Sequence, residues 1–150
     1  MRLAVTTPLA TVVDTSDVAH LRAEDETGAF GILAGHADFL TALVPSVVSW
    51  HDARGNDHHV AVRGGMLDVR GGETIAIATR EAVADDDLHR LETEVVVRFR
   101  RQLADEQAAR ADANRLYLAA IRQISRFLRP TRSSAGPGGR SLDDSEWLEQ

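Results

Sequence analysis

The chain is predicted to be mainly β with a helical end: an N-terminal antiparallel β-sandwich, then a C-terminal region of two helices arranged as a hairpin or as one extended run. Two observations predict this. Through Ala84, short apolar runs recur at spacings of about 8–12 residues with turn residues between them, the pattern of a sandwich or barrel. From Asp85 to Arg129 there is neither Gly nor Pro, and apolar residues recur every three or four positions, the period of a helix. The expected organisation is a sandwich domain over 1–84, a helical domain over 85–130 and a flexible tail over 131–150.

Taken in order, Leu3 and Val5 alternate with small or polar neighbours until Pro8 interrupts. Thr11-Val12-Val13 makes a second run, and Val18 to Ala23, centred on Leu21, a third. Gly28-Ala29-Phe30-Gly31-Ile32-Leu33-Ala34-Gly35 is an apolar run punctuated by glycines, which predicts two close turns inside a β-rich stretch. Asp38 opens the next run, with Phe39, Leu40, Leu43 and Val44 apolar and Thr41 able to face water. Val47 to Trp50 and Val60 to Val62 flank Ala53-Arg54-Gly55-Asn56, a hairpin-like turn. Leu67 and Val69 point one way, Asp68 and Arg70 the other, and Gly71-Gly72 turns the chain into Thr74 to Ala78. Leu33, Leu43, Val62, Leu67 and Ile75 are expected in the apolar face.

Asp85-Asp86-Asp87 is a helix start, because carboxylates cap free N–H groups and favour the positive end of the helix dipole. Leu88, Leu91, Val95, Phe99 and Leu103 then form one stripe, and Leu116, Ala120, Ile121, Ile124, Phe127 and Leu128 a second. Ala104 to Ala113 between them is polar or small, so a hairpin break and a continuous helix are both allowed there. Pro130 ends the pattern. Thr131 to Ser141 reads as a flexible linker, and the short acidic end that follows is expected to be disordered.

A chain of 150 residues buries roughly 68–70% of its unfolded surface, enough for one stable core. It has no Cys, which removes disulfides and thiolate chemistry. No run approaches the ~20 apolar residues of a membrane span, and no apolar leader segment is visible, so any membrane association is expected to be peripheral. The net charge of −6 conceals a split. Residues 1–84 hold 6 Arg against 11 acids, whereas residues 95–129 hold 8 Arg against Asp105, Glu106 and Asp112. All 17 basic residues are Arg, which we ascribe to genome composition. A basic helical region on an acidic chain suits an acidic partner surface.

No catalytic, cofactor or metal site is assembled by the sequence. His58 and His59 are adjacent, and adjacent strand residues face opposite sides, so they do not readily chelate one ion. The three aspartates need no cation once they cap a helix. There is no Ser-His-Asp set and no phosphate loop, and the spacing of Gly28, Gly31 and Gly35 is not that of a dinucleotide fold. His36 reads as a loop histidine bonded to a glycine-rich turn.

The stretch Gly31-Ile32-Leu33-Ala34-Gly35-His36-Ala37, followed by Leu40-Thr41-Ala42-Leu43, resembles the signature of the epsilon subunit of F-type ATP synthases. Gly64-Gly65-Met66-Leu67-Asp68-Val69 falls where that family has a Gly-Gly-x-Leu-x-Val strand. The resemblance covers roughly residues 1 to 129. It departs at Ala34 and Asp38, where many members carry proline, and both changes loosen the loop. Some bacterial members bind ATP through a Leu-Asp-x-x-Arg-Ala stretch. Here Leu88-His89-Arg90-Leu91-Glu92-Thr93 puts His for the Asp and Glu for the Arg, an anion where phosphate needs a cation. The Arg-rich end through Phe127-Leu128-Arg129-Pro130 is similar to subunits of the alternate, N-type complexes.

What the resemblance implies is a non-catalytic central-stalk subunit of an ion-translocating rotary ATP synthase. It would lie peripherally on the cytoplasmic face of the bacterial inner membrane. The sandwich would bind the gamma subunit and the ring of c subunits, with Gly28, Gly31, Gly35 and His36 at the ring-facing edge. Arg115, Arg122 and Arg126 would face acidic elements of the catalytic beta subunits and inhibit hydrolysis. The rival class is a free-standing adaptor whose sandwich binds protein and whose basic helix binds nucleic acid. The overall acidity and the lack of interleaved aromatics count against nucleic acid.

Overall fold

The computed structural model describes residues 1–128, so Arg129, the stop at Pro130 and the tail expected over 131–150 lie outside the described residues. Eight strands come first: β1 (Arg2–Thr6), β2 (Thr11–Thr15), β3 (His20–Asp25), β4 (Gly28–Leu33), β5 (Phe39–His51), β6 (Asp57–Arg70), β7 (Thr74–Ala78) and β8 (Ala82–Ala84). The order across the sheet is β2-β1-β7-β6-β5-β3-β4, and β8 pairs with β6 beside it. Every pairing is antiparallel except β1 with β7, which runs parallel.

One sheet becomes a sandwich because β5 and β6, at 13 and 14 residues, are longer than ordinary strands and pass through both layers. They stay in one register from Phe39↔Val69 to His51↔Asp57, yet the buried face changes parity part way along. In β6 the core residues are Val60 and Val62, then Leu67 and Val69; in β5 they are Leu43, then Val48 and Trp50. Strict alternation cannot do this. The switch falls at Gly64 and Gly65, whose φ values of 70° and 120° only glycine adopts readily, with Leu43 of β5 opposite Gly65. A Cβ on Gly65 would lie 2.2 Å from the Ala78 carbonyl oxygen.

The larger core gathers Leu3 and Val5, Leu21 and Ala23, Ile32, and Ile75 and Ile77 around those residues. Leu33 is not among them. It is 61% exposed, because Ile32 takes the inward position at the end of β4. At the start of β5, Leu40 is 63% exposed, while Thr41 is half-buried and donates to Asp25 Oδ2 at 2.8 Å. Phe39 and Leu43 are the inward residues, as alternation requires.

The helical region opens as α1 (Leu88–Arg90), widens into one π-turn (Leu91–Val95) and continues as α2 (Val96–Phe127). Asp87 caps it, its carboxylate accepting from the Arg90 N–H at 3.1 Å, as the three aspartates led us to expect. The wide turn moves the buried face by one residue: Leu91, Val96 and Phe99 are buried, Val95 only partly, and Leu103 is exposed. These three cover Ala61, with Val47 and Val83 beside it, on the outer face of the β5–β6 layer. No break occurs between Ala104 and Ala113, so the extended alternative holds. By contacts the chain separates into two compact units, Met1–Arg110 and one that begins at Ala111. Residues 91–110 thus fall in the same compact unit as the strands.

Candidate partner interface

Two turns at one end of the sandwich are stapled to each other. Gly35, at φ 80°, ends the turn after β4, and its N–H donates to the Gly72 carbonyl at 2.9 Å. Asp38 Oδ1 accepts from the Gly71 N–H at 2.7 Å. A Cβ on Gly72 would sit 2.7 Å from Gly35 Cα, so close backbone approach requires glycine there. His36 is held within its own turn: its N–H donates to Leu33 O at 3.1 Å and its Nδ1 lies 2.7 Å from Ala37 O. Its ring meets Phe39 edge-on at 5.8 Å, and Phe39 meets Phe30 in the same way at 5.5 Å. The loop histidine with backbone partners is thus what the fold contains.

Gly31 serves a different purpose from the turn expected of it. It lies inside β4 opposite Arg22, and a Cβ there would come within 2.8 Å of His20 Nε2, so it makes room for that ring. His20 stacks on His51 at 5.9 Å, and His51 pairs with Asp57, giving a row His20–His51–Asp57 across three strands. Gly28 opens β4 at the other end of that strand from Gly35, in the tight hairpin with Asp25. Asp25 accepts from the Thr27 hydroxyl at 2.6 Å and from Thr41, which holds its carboxyl below the usual range. The four motif residues are therefore spread along β4, with only Gly35 and His36 in one place.

The neighbouring hairpin, Asp52 to Asn56, is organised by a single carboxylate. Asp52 accepts from the Asn56 side chain at 2.8 Å, from the Asn56 N–H at 2.9 Å, and from the Arg54 N–H at 2.9 Å. His58 Nε2 is 3.3 Å away and stacks on Trp50. These donors push the Asp52 pKa well below that of an ordinary carboxylate, the Asn56 amide contributing most. His59 faces the other way, to Ser49 Oγ at 2.9 Å, so the adjacent histidines do separate.

Sequence reasoning missed an open face on the layer built from β1, β7 and the adjoining ends of β6 and β5. Ala42, Met66 and Ala78 are cross-strand neighbours there, and Leu40, Asp68 and Ala76 form the next row. All but half-buried Asp68 are exposed, Met66 at 44%. The signal was present: two of the three outward positions of Thr74-Ile75-Ala76-Ile77-Ala78 are alanine where a solvated strand would carry polar side chains.

In the unit that begins at Ala111, Arg115, Arg122 and Arg126 project from one side of the helix, and all three are exposed. Arg115 has Asp112 at 3.6 Å, a surface pair of small value. Leu116, Tyr117, Ile121, Ile124 and Phe127 form the opposite, apolar side and are exposed as well. Among the described residues no helix is long and apolar enough to cross a membrane, and no three His, Asp or Glu side chains gather as a metal site.

The family model for the β-sandwich domain of the ATP synthase delta/epsilon chain matches residues 1–85. The chain is 40% identical over 135 residues to ATP synthase epsilon chain 2 of Paraburkholderia xenovorans, covering 90% of this sequence and 97% of that one. It is 42% identical over 130 residues to ATP synthase epsilon chain 2 of Cereibacter sphaeroides, covering 85% and 88%. Among solved structures, a chain of the Euglena gracilis mitochondrial ATP synthase superposes with a TM-score of 0.54 at 24% identity, over 71% of this chain and 62% of that one. That last likeness is one of fold.

Proposed function

This chain belongs to the ATP synthase delta/epsilon family as an epsilon chain, and on that premise we propose that it couples the stalk of a rotary ATP synthase to its membrane ring without catalysing a reaction itself. The observation that carries the proposal is the open face of Leu40, Ala42, Met66, Ala76 and Ala78. A patch of apolar side chains facing outward from a sheet layer buries that surface only when another chain covers it, at about 25 cal/mol per Å². We assign this face to the gamma subunit. The stapled turns around Gly35, His36 and Gly71-Gly72 present a stiff end to the c-subunit ring, suited to transmitting torque.

The basic side of the helix, with Arg115, Arg122 and Arg126, is assigned to acidic elements of the catalytic beta subunits, where it would restrain hydrolysis. Within the family, the Arg-rich helix is the feature on which we assign the chain to the alternate, N-type subgroup. The location that follows is peripheral, on the cytoplasmic face of the bacterial inner membrane.

Co-purification tests the reading. A tagged wild-type chain should bring down the large ATPase subunits, and the double variant Ala42→Arg, Met66→Arg should lose them while its circular dichroism stays unchanged. Recovery of the complex at wild-type yield by the double variant would remove the open face from the proposal.

A further inference from the structure

Apolar contact between helix and sandwich ends at Phe99, yet the compact unit runs on to Arg110. From Arg100 to Glu106 the helix buries no apolar side chain; only Gln102 and Glu106 are partly covered. Gln102 is a poor anchor, because its Oε1 is buried with no hydrogen-bond partner, which disfavours the docked position. What holds this stretch is charge. Glu106 accepts from Arg63 Nη2 of β6, and Arg80 Nη1 approaches its other oxygen at 3.4 Å. Glu81 accepts from Arg98 Nη2 at 3.1 Å and lies 3.9 Å from Arg63 Nη1. Two carboxylates thus bridge three guanidiniums across β6, the link before β8, and the helix.

Arg63 is the centre of this arrangement. Its side chain is only 18% exposed, and its backbone N–H is fixed to the Glu81 carbonyl at 3.0 Å, so it cannot follow the helix outward. Without Glu106 it keeps one carboxylate, at 3.9 Å, which is too long for a hydrogen bond. A partly buried cation left that way is costly, whereas Glu106 and Arg80 can each return to water.

We propose that Glu106 closes an electrostatic clasp that sets the point at which the helix leaves the sandwich. With the clasp closed, the helix is docked through Glu106; with it open, docking retreats to Phe99. Because charge rather than apolar area holds residues 100–106, the exit point responds to ionic strength. The proposal concerns this chain alone and does not depend on which partner covers the open face.

Hydrogen exchange on the full-length chain tests it, comparing wild type, Glu106→Gln and Asp105→Asn at low and high sodium chloride. Asp105 is the control, an exposed neighbour with no ion-pair partner among the described residues. In the wild type, amides of residues 102–110 should exchange faster at high salt, since screening weakens partly exposed pairs. In Glu106→Gln they should exchange several-fold to about tenfold faster already at low salt and lose most of the salt dependence. Amides of β5, β6 and β7 should be unchanged, and Asp105→Asn should track the wild type. The clasp is refuted if Glu106→Gln exchanges like wild type at both salts, or if Asp105→Asn has the same effect. A uniform rise that includes the strands would also refute it, because Glu106 would then support global stability rather than the exit point.

Discussion

Replacing Gly65 by Ala tests the bend that turns one sheet into a sandwich. The new Cβ would fall 2.2 Å from Ala78 O and 3.0 Å from Thr79 Cα, against backbone atoms with no rotamer to move. The residue also holds φ at 120°, a conformation that costs an alanine about 1–3 kcal/mol. Relief of the clash needs β6 and β7 to part by roughly an ångström at Met66↔Ala78, and overpacking of this kind costs about 1–3 kcal/mol more. The sum, about 2–6 kcal/mol, is a large share of a domain stability of about 5–15 kcal/mol. At about 4 °C per kcal/mol for a unit of this size, the melting temperature should fall by about 8–24 °C. Gly71→Ala is the matched control. Its φ of 61° is also unfavourable for alanine, but nothing lies within 4 Å of the added Cβ, so only the local strain remains. Both are measured by thermal unfolding followed by circular dichroism. If Gly65→Ala melts within a few degrees of Gly71→Ala, the close approach of β6 to β7 is not what confines this position to glycine, and the account of the bend fails.

Phe99→Ala should destabilise the first unit by about 3–5 kcal/mol in denaturant unfolding, since the ring is fully buried against Ala61, Leu91 and Val96; a loss under 1 kcal/mol would mean the helix is not part of that cooperative unit. A chain ending at Ala84 keeps every residue of the larger core and uncovers only the Ala61 face, so we expect it to unfold cooperatively with β-type circular dichroism at reduced stability. Asp52 has its folded pKa lowered, so its contribution is fully present above the unfolded value of about 3.9 and is lost as pH falls through the folded one. Asp52→Asn should therefore melt below wild type at pH 7, with the gap closing toward pH 2; a gap independent of pH would contradict the assigned charge effect. Replacing Arg115, Arg122 and Arg126 together by Glu should raise ATP hydrolysis by the reconstituted complex, because each exposed pair contributes only ~0.2–1 kcal/mol and a single change is small. Wild-type rates in the triple variant at low and moderate salt would end the proposal of electrostatic docking to the beta subunits.

Much of the architecture is local in origin, and for that reason it was legible in the residues. Alternation in Leu3-Val5, Leu67-Val69 and Ile75-Ile77 reports a half-buried strand wherever it occurs, and the glycines at 71 and 72 specify a turn through their own backbone freedom. The aspartates before Leu88 place the helix start by satisfying the N–H groups beside them. The motif around Gly31-Gly35-His36 and the Gly64-Gly65 strand led to the family, which the match over residues 1–85 bears out. What needed the tertiary structure was every choice that depends on a distant neighbour. Period two reports that a strand has two faces, but not which one another layer covers, so Leu33 reads as inward although Ile32 takes that place. A parity switch at Gly64-Gly65 needs Ala78 close by to make glycine obligatory, and a π-turn at Leu91–Val95 moves the helical face to Val96 only because Ala61 waits beneath it. Arg63 and Glu106 stand 43 residues apart with no periodicity joining them, and only the folded chain makes them partners.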